Sequence, residues 1–480
     1  MTLVQQTNEG AQELGARSEL TAKELLREVG SVLRMSEAEA AAIALDEIDP
    51  STDQTMIINM GPQHPSTHGV LRLMLELQGE TVLRCKPIIG YLHTGMEKTG
   101  EQLSYMQGGT NVTRMDYASP LNNELVFSLA VEKLLGIDGD IPERAVWMRM
   151  LLSELNRMSS HLLFMATNGM DIGAVSMMLY GWREREEVLR LFEFVTGLRM
   201  NCNYIRPGGV AADLPDGWQA RVLEVCDTVE AWIAEYDLLL TENPIWRERT
   251  VGIGTITTEQ CLERSLTGPI LRSTGFAWDL RKAQPYLAYD EVDFEVPVYP
   301  NGDVYDRYRV HMDEMRQSVR IVEQCLDGMP EGPWIADDRK VVLPPRHELH
   351  TSMESLIHHF KLVTEGFEVP AGEVYAPIES ARGEFGFHLV SDGGPKPWRV
   401  RLRSPSLVLL QSLAKLCEGV YLADLIAILL PDQNQRFSSI ENVGRQWLNT
   451  DRAAAEKWIS STTLPDDRKQ RLLKINTGNN

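Results

Sequence analysis

Three ionisable side chains stand out in an otherwise strongly apolar stretch of the sequence, SELNRMSSHLLF at residues 153–164. Glu154, Arg157 and His161 are three and then four residues apart, so they share one face of the helix that this stretch predicts. Burying two charges and an imidazole costs free energy unless they pair with one another or face a functional partner. Both interpretations stay open from the sequence: a self-satisfied structural network, or a functional site.

Two histidines lie in the segment GPQHPSTHG, residues 61–69, between two stretches that predict strands. His64 and His68 are four residues apart, but the proline between them prevents a helix, so a metal-binding pair at helical spacing is not supported. A histidine on a loop braced by prolines and glycines can instead donate a proton near neutral pH. We expect strands over 56–60 and 70–77 to form a hairpin with this segment at its tip.

Three further residues are candidates for chemistry because of where they stand. His93 lies in the glycine-bounded turn GYLHTG, and Tyr117 immediately precedes a predicted helix start, from which its phenol can project into a cavity. Asp171 follows the predicted end of the long helix at Asn168-Gly169. Because the helix dipole disfavours an anion at that end, we expect Asp171 to have a partner.

The elements that must position these residues are mostly helical. Ser119, Pro120 and Gly136 predict a helix that is capped at its start by the serine and stopped by the glycine. The next helix, over about 142–168, is apolar on most faces and is therefore expected in the middle of a bundle. Further helices are predicted over 179–200, 303–327 and 351–364, and strands over 373–378, 385–390 and 398–402. The charge run at 183–187 is interpreted as a solvated helix face.

Composition excludes several classes of function. The 480 residues include 47 Lys and Arg against 68 Asp and Glu, a formal net charge of −21, which makes nucleic acid an unfavourable partner and argues against a polybasic membrane anchor. Three charged residues interrupt the longest apolar stretch, at 407–430, so no spanning helix is predicted. The N-terminus has neither a basic start nor an apolar core, so we expect a soluble cytoplasmic chain without a secretory signal.

The six cysteines are scattered, and no C-x-x-C occurs. We interpret them as small buried hydrophobic residues, and we expect no Cys-ligated zinc or iron–sulfur site within this chain. The phosphate-binding patterns G-x-x-x-x-G-K-[ST] and G-x-G-x-x-G are absent, as are G-x-S-x-G and H-E-x-x-H. We therefore do not expect the chain itself to bind NAD or ATP.

Eight segments in order carry a family resemblance: GPQHPSTHGVLRLMLEL, IGYLHTGMEKTGE, RMDYASPLNNE, SELNRMSSH, NYIRPGGV, TSMESLIHHFK, TEGFEVPAGEVY and ESARGEFGFHLVSDGG. They resemble the D-type, or 49-kDa-type, subunit of NADH-quinone oxidoreductase, respiratory complex I, which is related to the large subunit of nickel–iron hydrogenases. The resemblance implies an α+β fold: a central helical bundle with an N-terminal β-hairpin/α+β region, resembling the hydrogenase large-subunit fold. It also implies an acidic N-terminal extension over 1–55, the family domain over 56–430 and an atypical C-terminal extension over 431–480.

The same resemblance implies a quinone-binding subunit in the peripheral arm of a proton-translocating NADH:quinone oxidoreductase, which is not active alone. Its partners would be an iron–sulfur subunit of the B type, a subunit of the C type and a membrane-arm subunit of the H type. The B-type partner would carry a [4Fe-4S] cluster, and NAD would bind elsewhere in the complex. This chain would bind quinone as substrate, hold no cofactor or metal alone, and lie on the cytoplasmic side of the cell inner membrane as a peripheral protein.

The family pattern assigns functional roles to six positions of this sequence: His68, Tyr117, Asp171, His161, Arg157 and His93. His68 and Tyr117 would hold the quinone carbonyl oxygens and donate protons, with Asp171 paired to His68. The other three would lie near the partner's cluster, and protonation of His161 would follow cluster reduction. Histidine and tyrosine differ by ~3.5 pKa units in the free state, so the imidazole can donate directly and the phenol only to a strongly basic reduced oxygen.

Two departures from the related families keep alternatives open. Hydrogenase large subunits hold nickel with R-x-C-x-x-C, whereas RMDYAS places Asp116 and Ser119 at the thiolate positions, so nickel is not expected. The family's usual ending is replaced after Leu430, and the chain continues to residue 480. The alternative is a diverged paralogue that acts as a structural module or serves another electron donor. A hydrogenase is a further alternative, which the missing cysteines disfavour.

Overall fold

The computed structural model describes residues 55–62 and 70–433. The loop histidines His64 and His68 lie outside the described residues. So do nearly all of the two predicted extensions, since residues 1–54 and 434–480 are not described.

The described residues divide into two compact units. The first comprises the described residues up to 89 together with 413–425, and the second comprises 90–412 and 426–433. In chain order the helices are α1 Met96–Gln102, α2 Tyr105–Val112, α3 Pro120–Leu135, α4 Glu143–Ile172, α5 Val175–Thr196, α6 Trp218–Tyr236, α7 Pro244–Thr250, α8 Thr258–Glu263, α9 Pro269–Arg272, α10 Leu280–Ala283, α11 Val304–Gly328, α12 Met353–Thr364, α13 Pro405–Leu416 and α14 Leu422–Gln433. The strands are β1 Thr55–Met60, β2 Arg72–Gln78, β3 Thr81–Ile88, β4 Ile205–Arg206, β5 Gly209–Val210, β6 Gly372–Ser380, β7 Gly383–Ser391 and β8 Arg399–Arg403.

This mixture of helices and small antiparallel sheets confirms the α+β class predicted from the sequence. Within residues 55–62 and 70–433, no helix is both long enough and apolar enough to cross a bilayer. The cysteines follow the prediction as well, because all six are free thiols and buried.

The first unit is built on an antiparallel sheet in the order β1-β2-β3. The register pairs Met60 with Leu73, so β1 and β2 form the hairpin that the sequence predicts. The alternate leucines of β2, with the one just before it, are all buried: Leu71, Leu73, Leu75 and Leu77. They share a face because successive side chains of a strand point to opposite sides. The sheet also contains β3, which the sequence pattern did not indicate.

The second unit is organised around α4. This helix packs against α3, α5 and α11, and α6 completes the bundle against α5 and α11. Side chains on all sides of α4 are buried, among them Trp147, Leu155 and Phe164. A helix without a solvent face must lie inside a bundle, so the prediction for this helix is confirmed.

The end of α4 differs from the prediction. The helix continues through Asn168 and Gly169 to Ile172, and it ends at Gly173, which has a left-handed φ of 117°. Asp171 therefore lies in the last helical turn rather than beyond it. The glycine at 169 was mistaken for a stop signal because its helical role depends on a neighbouring helix that the local sequence does not reveal.

Two glycines allow α4 and α5 to approach closely. A Cβ atom at Gly169 would lie 2.6 Å from the Cβ atom of Met177. A Cβ atom at Gly181 would lie 2.8 Å from the Cβ atom of Ala166 and 2.9 Å from the carbonyl oxygen of Leu162. Real side chains cannot occupy these distances, so both positions require glycine for packing rather than for backbone freedom.

The charge run on α5 is not wholly solvated, contrary to the prediction. Glu184 and Arg185 are buried, with 0% and 3% of their surfaces exposed, while Arg183 is exposed. Because the run spans more than one helical turn, part of it must face the bundle. Burial raises the pKa of Glu184 to about 7, although the bond from Arg183 opposes that rise.

The start of α3 also differs from the prediction. Ser119 precedes the helix but makes no side-chain cap, and its side chain is buried. Pro120 has no N–H to satisfy, and the N–H of Leu121 donates to Oδ1 of Asn156 on α4 at 3.4 Å. The cap is thus supplied from a neighbouring helix.

A second antiparallel sheet, in the order β6-β7-β8, packs against α3 in this unit. Its register pairs Ile378 with Phe385, and the buried residues include Phe387 and Leu389. All three strands overlap the segments that the sequence predicts as strands.

Replacing Gly181 with Val should lower the free energy of unfolding by about 1–3 kcal/mol, because the new side chain would force α4 and α5 apart. The matched control is Gly139→Ala, since nothing lies within 4 Å of a Cβ atom at Gly139. Urea denaturation of the two purified variants checks the prediction. Equal stability of the two would contradict the close helix packing.

Candidate functional site

Tyr117 lies in the turn that joins α2 to α3. The carboxylate of Asp116, which precedes it, accepts a hydrogen bond from the Ala118 N–H at 3.1 Å and forms an ion pair with Arg382. The side chain of Asn123 donates to the Asp116 carbonyl oxygen at 3.1 Å. These contacts hold the turn and leave 49% of the Tyr117 surface exposed, so the phenol is accessible at the position where the sequence expects it.

Charged groups surround the Tyr117 hydroxyl. Partial burial raises the pKa of Tyr117, and the positive charges of Arg382 and Arg185 oppose that rise. The phenol is therefore protonated at neutral pH and able to donate a hydrogen bond. Arg185 is almost completely buried, and burial lowers its own pKa to about 10.

Arg185 links Tyr117 to an exposed apolar face of α5. Its guanidinium lies 5.3 Å from the ring centroid of Trp182. Val175, Leu179 and Trp182 occur at helical spacing and are 63%, 71% and 38% exposed. Contiguous exposed apolar side chains of this kind mark surfaces that a partner or a ligand covers.

The remaining partly accessible candidates are His93 and Asp171. His93 is exposed in a turn between Gly90 and Gly95, both with positive φ, and its N–H donates to the Gly90 carbonyl oxygen at 3.1 Å. Asp171 is partly buried at the end of α4. Within the described residues, no hydrogen bond or ion pair joins His93 or Tyr117 to the buried charged groups around Glu154.

Glu154 is fully buried on α4 and is neutralised by two guanidinium groups. Its carboxylate oxygens lie 3.2 Å from Nε of Arg157 and 3.2 Å from Nη1 of Arg281. The hydroxyls of Tyr289 and Ser318 each donate to it at 2.7 Å. Burial would raise the pKa of Glu154, but the two guanidiniums outweigh burial and lower this pKa to about 2.

Arg157 also holds the end of β6. Its Nη1 donates to the carbonyl oxygen of Ser380 at 2.9 Å, and its Nη2 donates to that of Glu379 at 2.6 Å. A guanidinium has five N–H donors, so one buried Arg can satisfy a carboxylate and two carbonyls together. Arg157, which the sequence identified, thus joins α4 to a strand more than 200 residues away.

A second centre of the network is Arg272 on α9. Its guanidinium donates to Oε1 of Glu314 at 2.5 Å and to Oε1 of Glu379 at 2.8 Å. The carboxylate of Asp279 lies 3.8 Å from Arg272 and accepts from Nη2 of Arg281 at 2.6 Å. All of these groups are buried, and together with Glu154 and Arg157 they form one network of four carboxylates and three guanidiniums.

The carboxylates differ in how readily they take a proton. Burial raises the pKa of Glu379, and the charge of Asp279 adds to this rise, while Arg272 only partly opposes it. Burial also acts on Asp279, but Arg281 outweighs it and lowers the pKa of Asp279 to about 2. For Glu314, Arg272 and His161 overcome burial and hold the pKa well below its ordinary value.

His161 lies at one end of this network. Its Nε2 is 2.8 Å from Oε2 of Glu314, and its Nδ1 is 3.0 Å from Nδ1 of His311 on α11. The ring of His311 packs against Phe164, with the ring centroids 4.2 Å apart. Burial lowers the pKa of His161, and the Glu314 carboxylate opposes that decrease.

The three residues at this end have the ligand types of a metal site. Donor atoms of His161, His311 and Glu314 all lie within 4.8 Å of one another. Both Glu314 oxygens are already engaged, one by Arg272 and the other by His161, and the adjacent guanidinium repels a cation. The donor set therefore fits a chain of hydrogen bonds better than it fits a bound metal.

Sequence reasoning found three members of the network but missed the others: His311, Glu314, Arg272, Asp279, Arg281 and Glu379. A signal for α11 was present, because residues seven apart on its buried side are Val304, His311, Ser318 and Cys325. Polar residues in such an apolar repeat indicate a buried polar contact. The short helices α9 and α10 carry no comparable local pattern.

A larger groove lies elsewhere in the second unit. It encloses about 750 Å³ and is lined by residues that include Met106, Arg206, Trp334, Val342 and Phe367. None of the six candidate residues lines this groove. Its size alone assigns it no function.

Comparison with known proteins identifies the family. The family model described as the 49 Kd subunit of respiratory-chain NADH dehydrogenase matches residues 171–431, more than half of the chain. The chain belongs to this 49 kDa subunit family. A protein of Acidothermus cellulolyticus named as the D subunit of NADH-quinone oxidoreductase is 54% identical over 401 residues, covering 80% of this chain and 91% of that protein. The first D subunit of the same name from Solibacter usitatus is 52% identical, over 82% of this chain and 97% of its own length.

Membership in the 49 kDa family confirms the resemblance predicted from the sequence motifs. The match at 171–431 includes Asp171, Arg185 and the network residues on α9, α10, α11 and β6. Tyr117 and His161 precede the region of this match.

Replacing Glu154 with Gln should lower the free energy of unfolding at pH 7 by about 3–5 kcal/mol, because two buried guanidiniums lose their carboxylate. The folded pKa of about 2 lies below the unfolded value of ~4.3, so the carboxylate's contribution is present above ~4.3 and is lost as the pH falls toward 2. The stability difference between wild type and variant should therefore shrink as the pH falls from ~5 to ~3. Urea denaturation across that range measures it.

The control for this variant is Asp337→Asn. The Asp337 side chain is 99% exposed, so its removal should leave the free energy of unfolding unchanged at every pH. If Glu154→Gln were as stable as wild type at pH 7, the network would not carry the charge balance described above.

Proposed function

We propose that this chain is the quinone-binding subunit of a proton-translocating NADH:quinone oxidoreductase and forms the quinone headgroup site with an iron–sulfur partner. Family membership supports the complex, because relatives more than 50% identical are named as D subunits of NADH-quinone oxidoreductase. One observation carries the proposed site. It is the half-exposed, protonated phenol of Tyr117 beside the exposed apolar face of α5.

Quinone reduction consumes two electrons and two protons, so the site needs an electron source, an apolar slot and two proton donors. Tyr117 donates a hydrogen bond to one quinone carbonyl oxygen and then transfers its proton as that oxygen becomes strongly basic. Arg185 and Arg382 stabilise the phenolate that remains, because both oppose the rise of its pKa. His68 acts at the other oxygen, with Asp171 paired to it.

The partner supplies the electron through its [4Fe-4S] cluster, and NAD binds elsewhere in the complex. The thiols of this chain do not suit a cluster: burial raises the pKa of Cys202 to about 11 and that of Cys226 to about 12, which disfavours the thiolate ligand. His161, Arg157 and His93 lie near the partner's cluster in this proposal. Protonation of His161 then accompanies cluster reduction.

We further propose the arrangement that the family resemblance implies. The fold is of the nickel–iron hydrogenase large-subunit type, with the domain over 56–430 and extensions over 1–55 and 431–480. Asp116, at a former thiolate position, pairs instead with Arg382, and the other such position is the buried Ser119. The B-type, C-type and H-type subunits are the neighbours. The complex is attached to the cytoplasmic side of the cell inner membrane.

Replacing Tyr117 with Phe should lower quinone affinity about tenfold, since one hydrogen bond of ~1–1.5 kcal/mol is lost while the ring remains. His68→Ala should reduce the rate more than it reduces assembly, and Asp171→Asn should fall between the two. The measurement is the ratio of quinone-dependent to artificial-acceptor NADH oxidation in membranes from each mutant.

The matched control is Tyr421→Phe, which removes the hydroxyl of a tyrosine that is 61% exposed in the first unit. It should leave the ratio at the wild-type value, and artificial-acceptor activity should survive every substitution. If Tyr117→Phe and His68→Ala also leave the ratio unchanged, the chain is better described as the structural paralogue. Unaltered activity ratios together with normal assembly would decide for that alternative.

A further inference from the structure

Two buried imidazoles face each other through the same ring atom. Nδ1 of His161 and Nδ1 of His311 are 3.0 Å apart, a hydrogen-bond distance, and the two side chains are 1% and 3% exposed. A hydrogen bond between two nitrogens needs one hydrogen, so one and only one of the Nδ1 atoms carries it in any stable state.

The partner of the other His161 nitrogen decides which one. Nε2 of His161 lies 2.8 Å from a Glu314 carboxylate that remains ionised, because Arg272 and His161 hold its pKa far below the ordinary value. A carboxylate only accepts hydrogen bonds, so Nε2 of His161 carries a hydrogen. In neutral His161 the lone pair is then on Nδ1, and His311 donates its Nδ1 hydrogen to it.

This arrangement blocks direct protonation of His161. The only nitrogen of neutral His161 that can take a proton is Nδ1, and the His311 N–H already occupies it. A proton therefore reaches His161 only if His311 gives up its Nδ1 hydrogen.

We propose that His311 is the residue through which His161 gains and loses its proton. A proton binds Nε2 of His311 as the Nδ1 hydrogen of His311 moves to Nδ1 of His161. His161 becomes the imidazolium, with hydrogens on both nitrogens, and His311 returns to the neutral form with its hydrogen on Nε2. The bond between the Nδ1 atoms persists with its direction reversed, and one proton has entered the pair.

The surrounding charges favour the uptake of one proton. Glu314 of α11 faces His161 and favours its imidazolium, whereas Arg157 of α4 and Arg272 of α9 oppose it. Further out, Glu154, Asp279 and Arg281 complete the network with Glu379 of β6. Its four carboxylates and three guanidiniums carry one excess negative charge when both imidazoles are neutral. One added proton makes the whole buried group neutral, which lowers the cost of burial.

Glu379 is the competing site for that proton, because its pKa is raised by burial and by Asp279. The two possibilities differ in which residue titrates. If Glu379 took the proton, substitution of His311 would not affect the uptake.

The inference deepens the proposed role of His161 and rests on that proposed function only for its link to the partner's cluster. The first measurement needs the full chain alone. Nitrogen-15 NMR of histidine-labelled protein distinguishes the two ring tautomers and follows proton uptake by each ring. We expect wild type to show His161 with hydrogen on Nε2 and His311 with hydrogen on Nδ1, and a single proton shared by the pair as the pH falls.

Two substitutions separate the proton-carrying role of His311 from a structural one. His311→Arg always donates to Nδ1 of His161, so His161 should stay neutral at every pH at which the fold persists. His311→Asn places an amide near the former Nδ1, which can donate or accept after rotation, so proton uptake by His161 should be restored. Loss of uptake in both variants, or in neither, would overturn the proposal. Glu379→Gln serves as the control and should leave uptake by His161 in place; abolished uptake there would identify Glu379 as the proton site instead.

The second measurement is the pH dependence of the cluster midpoint potential in the assembled complex. We expect it to flatten in His311→Arg and to recover in His311→Asn. If the potential of the wild-type complex is independent of pH while the NMR result holds, the proposed link to the cluster fails and the role of His311 stands. If the NMR result fails, the role of His311 is wrong whatever the potential does.

Discussion

The second unit depends on removing seven charged side chains from water at one place. The three guanidiniums of Arg157, Arg272 and Arg281 are each buried among carboxylates that come from α4, α11, β6 and the residue just before α10. One unpaired charge in such a site costs several kcal/mol, so no member can be buried before its partners are in place. Apolar packing alone would tolerate several rotations of α4. The ion pairs select one of them, because only one presents Glu154 and His161 to their partners together.

The same constraint extends toward the accessible phenol. The connection between β6 and β7 is held on one side by Arg157, which binds the Ser380 carbonyl oxygen, and on the other by Arg382, which pairs with Asp116. Asp116 in turn shapes the turn that carries Tyr117. A surface residue with 49% exposure is therefore positioned by contacts that lead into the buried network. Rigid positioning of this kind suits a group that must meet a flat substrate at hydrogen-bond distance.

The sequence predicts what short-range patterns encode and misses what distant residues decide. The leucine stripe of β2 and the apolar length of α4 follow from periodicity, and both were predicted correctly. Gly169 was taken for a helix stop because its close contact with Met177 comes from another helix. Glu154 was noticed as a buried charge, yet its partner Arg281 is 127 residues away and carries no local signal. The family motifs supplied the roles of Tyr117 and His68, which no spacing could have indicated.

The fold gives its proton-carrying groups opposite settings. At Tyr117 partial burial raises the pKa, so the phenol keeps its proton until a strongly basic atom approaches, and nearby guanidiniums then stabilise the anion. At His161 burial lowers the pKa, so the imidazole stays neutral until negative charge appears nearby. A change of charge outside the bundle would therefore affect the two groups in opposite directions: added negative charge would hold the proton on Tyr117 more firmly and draw one to His161. This opposition follows from where each element places its side chain, the phenol on an exposed turn and the imidazole inside the bundle.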